Sequence, residues 1–200
     1  MIQADTRTLA LPVDEEKLWF EKQVRECERN LFRFAFHLTG SVEKSEDLLQ
    51  ETFLRAFQYR HSYDHTRSFE NWIYAILLNV YRQQYKKEKI LRFVLPWKTS
   101  DGDEEEEEVW DALEWEGDGP EKLVMKKQVL KDLYAAIEKL PLKMKEVMVL
   151  CDVMDYSYEE ASELLGCPIG TIRSRLHRAR RQVKGMLEKI YGEEILSLWG

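Results

Sequence analysis

Residues 157 to 176 read Ser-Tyr-Glu-Glu-Ala-Ser-Glu-Leu-Leu-Gly-Cys-Pro-Ile-Gly-Thr-Ile-Arg-Ser-Arg-Leu, and few folds accommodate that order. Ser157 with Glu160 three residues on is a capping box, in which each residue satisfies a backbone amide at the start of a helix. Gly166 takes the left-handed conformation that ends a helix, and Pro168 falls where a first-turn proline forfeits no hydrogen bond. Two short helices about a glycine turn form a helix-turn-helix. Small Ser162 permits close approach of the helices, and Leu165 and Ile172 fill the angle between them. The second helix then offers Thr171, Arg173, Ser174, Arg175, His177 and Arg178 to a major groove, where residues near the helix start meet base edges and later arginines meet phosphate. A plain helical hairpin with a solvated basic face is the alternative, and it leaves the coincidence of cap, turn, apolar plugs and one-sided arginines unexplained.

The net charge of −7 is unexpected for a chain that binds nucleic acid, but the charge is unevenly placed. Residues 101 to 118 hold 11 of the 37 acidic side chains and no basic one, so the rest of the chain has 30 basic groups against 26 acidic. From Thr171 to Lys189 there are seven basic residues and one acidic residue. Distribution, not the total, is the electrostatic footprint of nucleic-acid binding.

The remainder of the chain is helical by its periodicity. Val24, Cys27, Leu31, Phe34 and Leu38 recur at three- and four-residue steps, which predicts a helix over 18–38 that Gly40 stops. A second, over 42–59, buries Leu48, Leu49, Ala56 and either Phe53 or Phe57, with Asp47, Glu51 and Arg55 along one i, i+4 row. A loop over 61–68 leads to a helix over 69–91 whose first half is apolar and whose second half carries Arg82, Gln83, Gln84, Lys86, Lys87 and Lys89. Trp72, in the apolar half, reads as core. Helices over 124–140, 142–153 and 169–191 complete the chain. No segment alternates as a strand does, so the fold class is all-α.

Several function classes are disfavoured. Apolar runs fall far short of the roughly 20 residues of a spanning helix, so no membrane insertion is expected. Residues 1 to 12 carry one Arg and a brief Leu-Ala-Leu run, unlike a secretion signal, and point to the cytoplasm. Cys27, Cys151 and Cys167 have no partner at metal-ligand spacing and read as reduced thiols, the first two as small core residues. No catalytic residues, metal site or cofactor are expected, so the chain is not read as an enzyme.

Ser157 to Leu165 and the following Gly-Thr-Ile-Arg-Ser-Arg-Leu-His-Arg-Ala-Arg resemble region 4 of sigma-70 family factors of the small extracytoplasmic-function group. Ala161 stands where that family usually has a larger aliphatic residue, and Ser162 where it usually has Ala. Two further stretches resemble the same family in the same order. Asp47-Leu-Leu-Gln-Glu-Thr-Phe-Leu-Arg-Ala-Phe is similar to region 2.2, which implies docking of Asp47, Leu48, Gln50 and Glu51 on the clamp helices of the polymerase beta-prime subunit. Ser68-Phe-Glu-Asn-Trp-Ile-Tyr-Ala-Ile-Leu-Leu-Asn-Val is similar to regions 2.3 and 2.4. That likeness implies capture of the melted minus-10 strand by Tyr63, Arg67, Ser68, Asn79, Arg82, Gln83, Lys86 and Lys87, with Asp64 and His65 helping to shape the pocket. Stacking and polar pockets along a basic track are the means by which unpaired strands are held.

The resemblance divides the chain into an N-terminal tail (1–14), a region 2 domain (15–93), a flexible acidic linker (94–124), a region 4 domain reading the minus-35 element (125–192) and a C-terminal tail (193–200). About 30 linker residues reach up to ~100 Å. Two elements roughly 25 base pairs apart are separated by ~85 Å, within that reach. The implied partners are core RNA polymerase, at the beta-prime clamp and beta flap, promoter DNA and an anti-sigma factor. The rival function is a helix-turn-helix transcriptional regulator acting with another sigma factor, which leaves the Asp47 and Ser68 stretches as coincidence.

Overall fold

The computed structural model describes residues 13–94 and 120–192, and every regular element among them is helical. Helix α1 spans Val13–Thr39 and α2 spans Val42–Tyr59. Gly40 sits between them at φ +71°, and its N–H donates to the Phe36 carbonyl at 2.8 Å. Ser41 then caps α2 by accepting from the Lys44 N–H. Two hydroxyls are buried in this hairpin without loss: Thr39 and Ser45 share a hydrogen bond at 2.7 Å, and Thr52 donates to the Leu48 carbonyl at 2.6 Å. A short 3₁₀ turn, Arg60–Ser62, and an irregular loop lead into α3, Phe69–Val94.

The stripe read on α1 packs as expected. Leu31, Phe34 and Leu38 are sealed against Leu48 and Ala56 of α2 and Ile73, Tyr74, Leu77 and Leu78 of α3. Burial of each such side chain contributes about 1.5–3 kcal/mol. The choice left open on α2 falls to Phe53, which packs on the core, while Phe57 is 36% exposed. Among the three thiols, Cys27 is buried in the core, whereas Cys151 and Cys167 are half-buried at its edge.

Helix α4 spans Pro120–Glu138, α5 Leu142–Met148, α6 Tyr158–Leu165 and α7 Ile169–Tyr191. The start of α4 corrects the sequence expectation, which placed 120–124 in the linker. Pro120 reads as a breaker in a sequence, yet the first helical position needs no N–H and favours its fixed φ. Between α5 and α6 the chain makes a π turn, Val149–Val153, and Asp155 adopts φ +57°. Residues 95–119 and 193–200, which include most of the acidic linker and the C-terminal tail, lie outside the described residues. Among the described residues no helix is long and apolar enough to cross a membrane.

The two groups of helices pack against each other. The Tyr134 hydroxyl of α4 and His37 Nδ1 of α1 are 2.6 Å apart, with their rings stacked at 5.4 Å. Tyr74 and Tyr156 meet ring to ring at 5.9 Å. Arg82 of α3 reaches both carboxylate oxygens of Glu146 on α5, at 2.7 and 2.9 Å.

His37 carries a measurable consequence. Burial, aided by the positive charge of Arg33, depresses its pKa to about 4. The unfolded chain binds a proton near the ordinary value of about 6.5 while the folded chain refuses it, so stability falls as pH drops through the interval between them. The contribution lost across that window is about 2–3 kcal/mol. Urea midpoints measured from pH 7 to pH 4 are expected to fall more steeply for the natural protein than for His37→Gln; parallel curves would contradict the assignment.

Candidate nucleic-acid interface

The helix-turn-helix is built as its residues dictate. Ser157 Oγ accepts from the Glu160 N–H at 3.2 Å while Glu160 accepts from the Ser157 N–H at 2.8 Å. The Ser157 hydroxyl, donating to the Glu160 carboxylate at 2.7 Å, and then the Ser157 N–H hold that carboxyl below the usual carboxylate range. Gly166, at φ +63°, ends α6, with its N–H on Glu163 O and the Cys167 N–H on Ser162 O. This paired arrangement satisfies the last carbonyls of the helix. Ser162 also donates its hydroxyl to the Cys167 carbonyl at 2.6 Å, so it ties the turn as well as admitting the neighbouring helix.

Helix α7 buries Ile172, Leu176, Ala179 and Val183 along one side. Arg173, Ser174, His177 and Arg178 are exposed on another, and Thr171 and Arg175 are half-buried beside them. The Arg173 guanidinium stands 5.6 Å from the Tyr158 ring, and the Arg178 Nε donates to the Ser174 carbonyl at 3.1 Å. Arg175 points back to Cys167, with Nη1 3.5 Å from the sulfur. Arg180 is engaged within the domain, where its guanidinium grips Asp152 at 3.0 and 2.5 Å and braces α7 against the π turn.

On the other domain, the loop after α2 is ordered by its own side chains. Asp64 accepts from the Thr66 hydroxyl and N–H at 2.7 and 3.0 Å, which lowers its pKa, and Ser68 accepts from the Asn71 N–H at the start of α3. Tyr63 is 8% exposed, its hydroxyl donating to the Arg67 carbonyl. Its ring lies in a cluster with Trp19, Phe69 and Trp72, and exposed His65 caps Trp19 at 4.7 Å between ring centres. Tyr63 therefore shapes this surface from beneath, as does half-buried Trp72. Trp19 was not anticipated, because a lone tryptophan near a helix start gives no sequence signal for a loop 44 residues away.

Asn79, Gln83, Lys86 and Lys87 are exposed on α3, and Arg82, which shares their helix, is the half-buried partner of Glu146. Gln83 accepts from Arg55 at 2.9 Å, which in turn pairs with Glu51 at 2.6 Å, a bridge from α3 to α2. Asp47 and Gln50 are exposed on α2. Leu48 is not: it is 0% exposed, and so belongs to the core and not to a docking face. The apolar residues offered on α2 are Leu54, Phe57 and Tyr59. Leu54 follows Asp47, Gln50 and Glu51 at helical spacing, so an apolar residue on that polar row was the available signal.

The model of sigma-70 region 2 matches residues 23–90, and that of sigma-70 region 4 matches residues 130–183. The chain is 31% identical over 165 residues to the ECF RNA polymerase sigma factor EcfG of Rhodopseudomonas palustris, covering 79% of each. It belongs to the extracytoplasmic-function sigma factors of the sigma-70 family. It is also 33% identical over 171 residues to the sigma factor SigE of Mycolicibacterium smegmatis, covering 85% of this chain and 62% of that protein's length. Among solved structures, the sigma factor RpoE of Bartonella quintana, in complex with the anti-sigma factor NepR, superposes with a TM-score of 0.64 at 25% identity, over 84% of this chain and 96% of the other. In this sigma factor the helix-turn-helix lies within region 4, and the Tyr63 loop and most of α3 lie within region 2.

Proposed function

We propose that this sigma factor directs core RNA polymerase to its promoters by reading duplex minus-35 DNA through α7 and melted minus-10 DNA through the 63–68 loop and α3. The observation that carries this is a braced recognition helix with one exposed basic face, joined in one chain to a second domain bearing an aromatic loop and a basic helix end. In this reading Arg173, Ser174, His177 and Arg178, with Thr171 and Arg175 beside them, face the major groove. Asn79, Gln83, Lys86 and Lys87 follow the unpaired strand, with Arg67 and Ser68 at its entry. Asp47, Gln50, Glu51 and Leu54 form the surface for the beta-prime clamp, and region 4 meets the beta flap.

The protein then acts in the cytoplasm as a specificity subunit and leaves chemistry to the polymerase. The B. quintana neighbour, solved with NepR, supports an anti-sigma factor as a further partner. A stand-alone regulator has no use for region 2, which the match over 23–90 spans. Transcription from fragmented genomic DNA with purified core polymerase, with and without this chain, tests the proposal. New discrete transcripts sharing a two-part upstream element are expected. No new transcripts, with the chain shifting duplex DNA but failing to bind core, would overturn it.

A further inference from the structure

The loop that the proposed function sets at the melted strand is held by a part of the chain that the region 2 match does not include. Glu16, Trp19 and Phe20 lie at helical spacing on one side of α1, ahead of the 23–90 stretch. Glu16 stands 3.9 Å from Arg60 Nε, and the Arg60 guanidinium also covers the Phe57 ring at 4.1 Å. Phe20 is buried edge-on against Phe57 and Phe69, at 5.6 and 5.8 Å between ring centres. Trp19 reaches furthest into the loop: it stacks on Tyr63 at 5.4 Å, meets Phe69 at 5.5 Å and lies 4.7 Å from His65.

These contacts act differently on the two loop rings. Tyr63 is fixed by burial, by its hydroxyl on the Arg67 carbonyl and by Trp72 at 5.1 Å, as well as by Trp19. His65 is exposed, and aromatic contact holds its ring, with Trp19 at 4.7 Å and Tyr63 edge-on at 5.0 Å. An exposed side chain that must stop rotating in order to bind loses entropy in doing so, and a ring already pinned against another loses less. An imidazole held in one place with surface left to solvent is a platform for a base, because every base has a π-face to stack on. Trp19 is itself half-buried behind these rings, so its part is to position and not to touch the strand.

Resting on the sigma-factor reading, we propose that Trp19 is a positioning residue of the minus-10 site: it pins His65 where that ring accepts one unstacked base of the melted strand. The first turns of α1 then belong to the reading surface, and base dependence at that position is set by a residue that makes no contact with DNA.

The test uses the full chain assembled with core polymerase. The probes are fluorescein-labelled single strands carrying the minus-10 element of a promoter recovered by the transcription assay above, together with copies that each lack one base. For the natural chain, removal of one particular base is expected to weaken binding about tenfold, the size of a lost base–ring stack. Trp19→Ala is expected to weaken binding of the intact strand by about the same factor and to make removal of that base cost nothing further. Residue and base are then coupled in a double-mutant cycle, which a general loosening of the fold does not produce. Trp19→Phe keeps a ring against His65 and is expected to restore most of the affinity and the dependence on that base. His65→Ala, at an exposed site, is expected to silence the same position with no loss of stability in urea.

Trp19→Ala that weakens all copies equally, or that keeps the natural pattern of base dependence, overturns the proposal. Should that variant not fold, His65→Ala decides, and an unchanged pattern for it overturns the proposal as well. Transcription by core polymerase with the natural chain separates the two levels. If it is normal, any of those results removes the part given to Trp19 alone; if it is absent, the function reading beneath it falls.

Discussion

Leu176→Ala is expected to lower the stability of the region 4 domain by about 3 kcal/mol and to abolish recognition of the minus-35 element. Leu176 is 1% exposed and lies four residues after Ile172 and three before Ala179, on the stripe that seats α7. Truncation removes buried apolar surface and leaves a cavity that helices fixed by the capping box and the Asp152–Arg180 brace are poorly placed to fill. A small domain has only about 5–10 kcal/mol in total, so the loss is a large share of it. Urea denaturation followed by circular dichroism measures the loss directly. Leu54→Ala, at a site 54% exposed, is the contrast. Its stability is expected to change by less than about 0.5 kcal/mol while affinity for core polymerase falls. If both variants unfold alike, the division of these leucines into core and docking face is wrong.

Arg173→Ala is expected to weaken holoenzyme binding to minus-35 duplex by about 1–3 kcal/mol, roughly five- to 150-fold, and to relax preference at one base position. Arg173 is exposed near the start of α7, at the end of the helix that enters a groove, and the Tyr158 ring beside it limits where the guanidinium goes. Arg178, further along, bonds the Ser174 carbonyl and is expected to meet phosphate. Its replacement by Ala should weaken binding uniformly across sequences and reduce the dependence on salt by about one counterion. Fluorescence anisotropy on duplexes of varied sequence at several salt concentrations separates these effects. A uniform loss for Arg173→Ala, with selectivity unchanged, would move that residue from base reading to backbone contact.

Much of the helix-turn-helix was legible because its signals are local. A capping box, a glycine at positive φ and apolar residues at helical spacing act within a few residues, and α7 ends at the residue its periodicity predicts. The boundary of α4 was less legible, since Pro120 serves as a helix start and as a turn signal alike. The family motif groups Leu48 with Asp47 and Gln50, yet one residue along a helix turns a side chain by about 100°, and Leu48 is sealed in the core.

The sequence by itself determined the seven α-helices of the described residues, the braced turn of the helix-turn-helix and the face that α7 leaves free. Only the tertiary structure decided that Phe53 and not Phe57 faces the core, that Arg180 pairs with Asp152, and that Arg82 is held by Glu146. Periodicity records which side of a helix is buried but not what buries it. Lys145 and Glu146 give no local sign of burial, because charged residues are ordinarily exposed. Their sealed positions are tolerable only because each finds a partner of opposite charge, Glu138 for Lys145 and, from 64 residues away, Arg82 for Glu146.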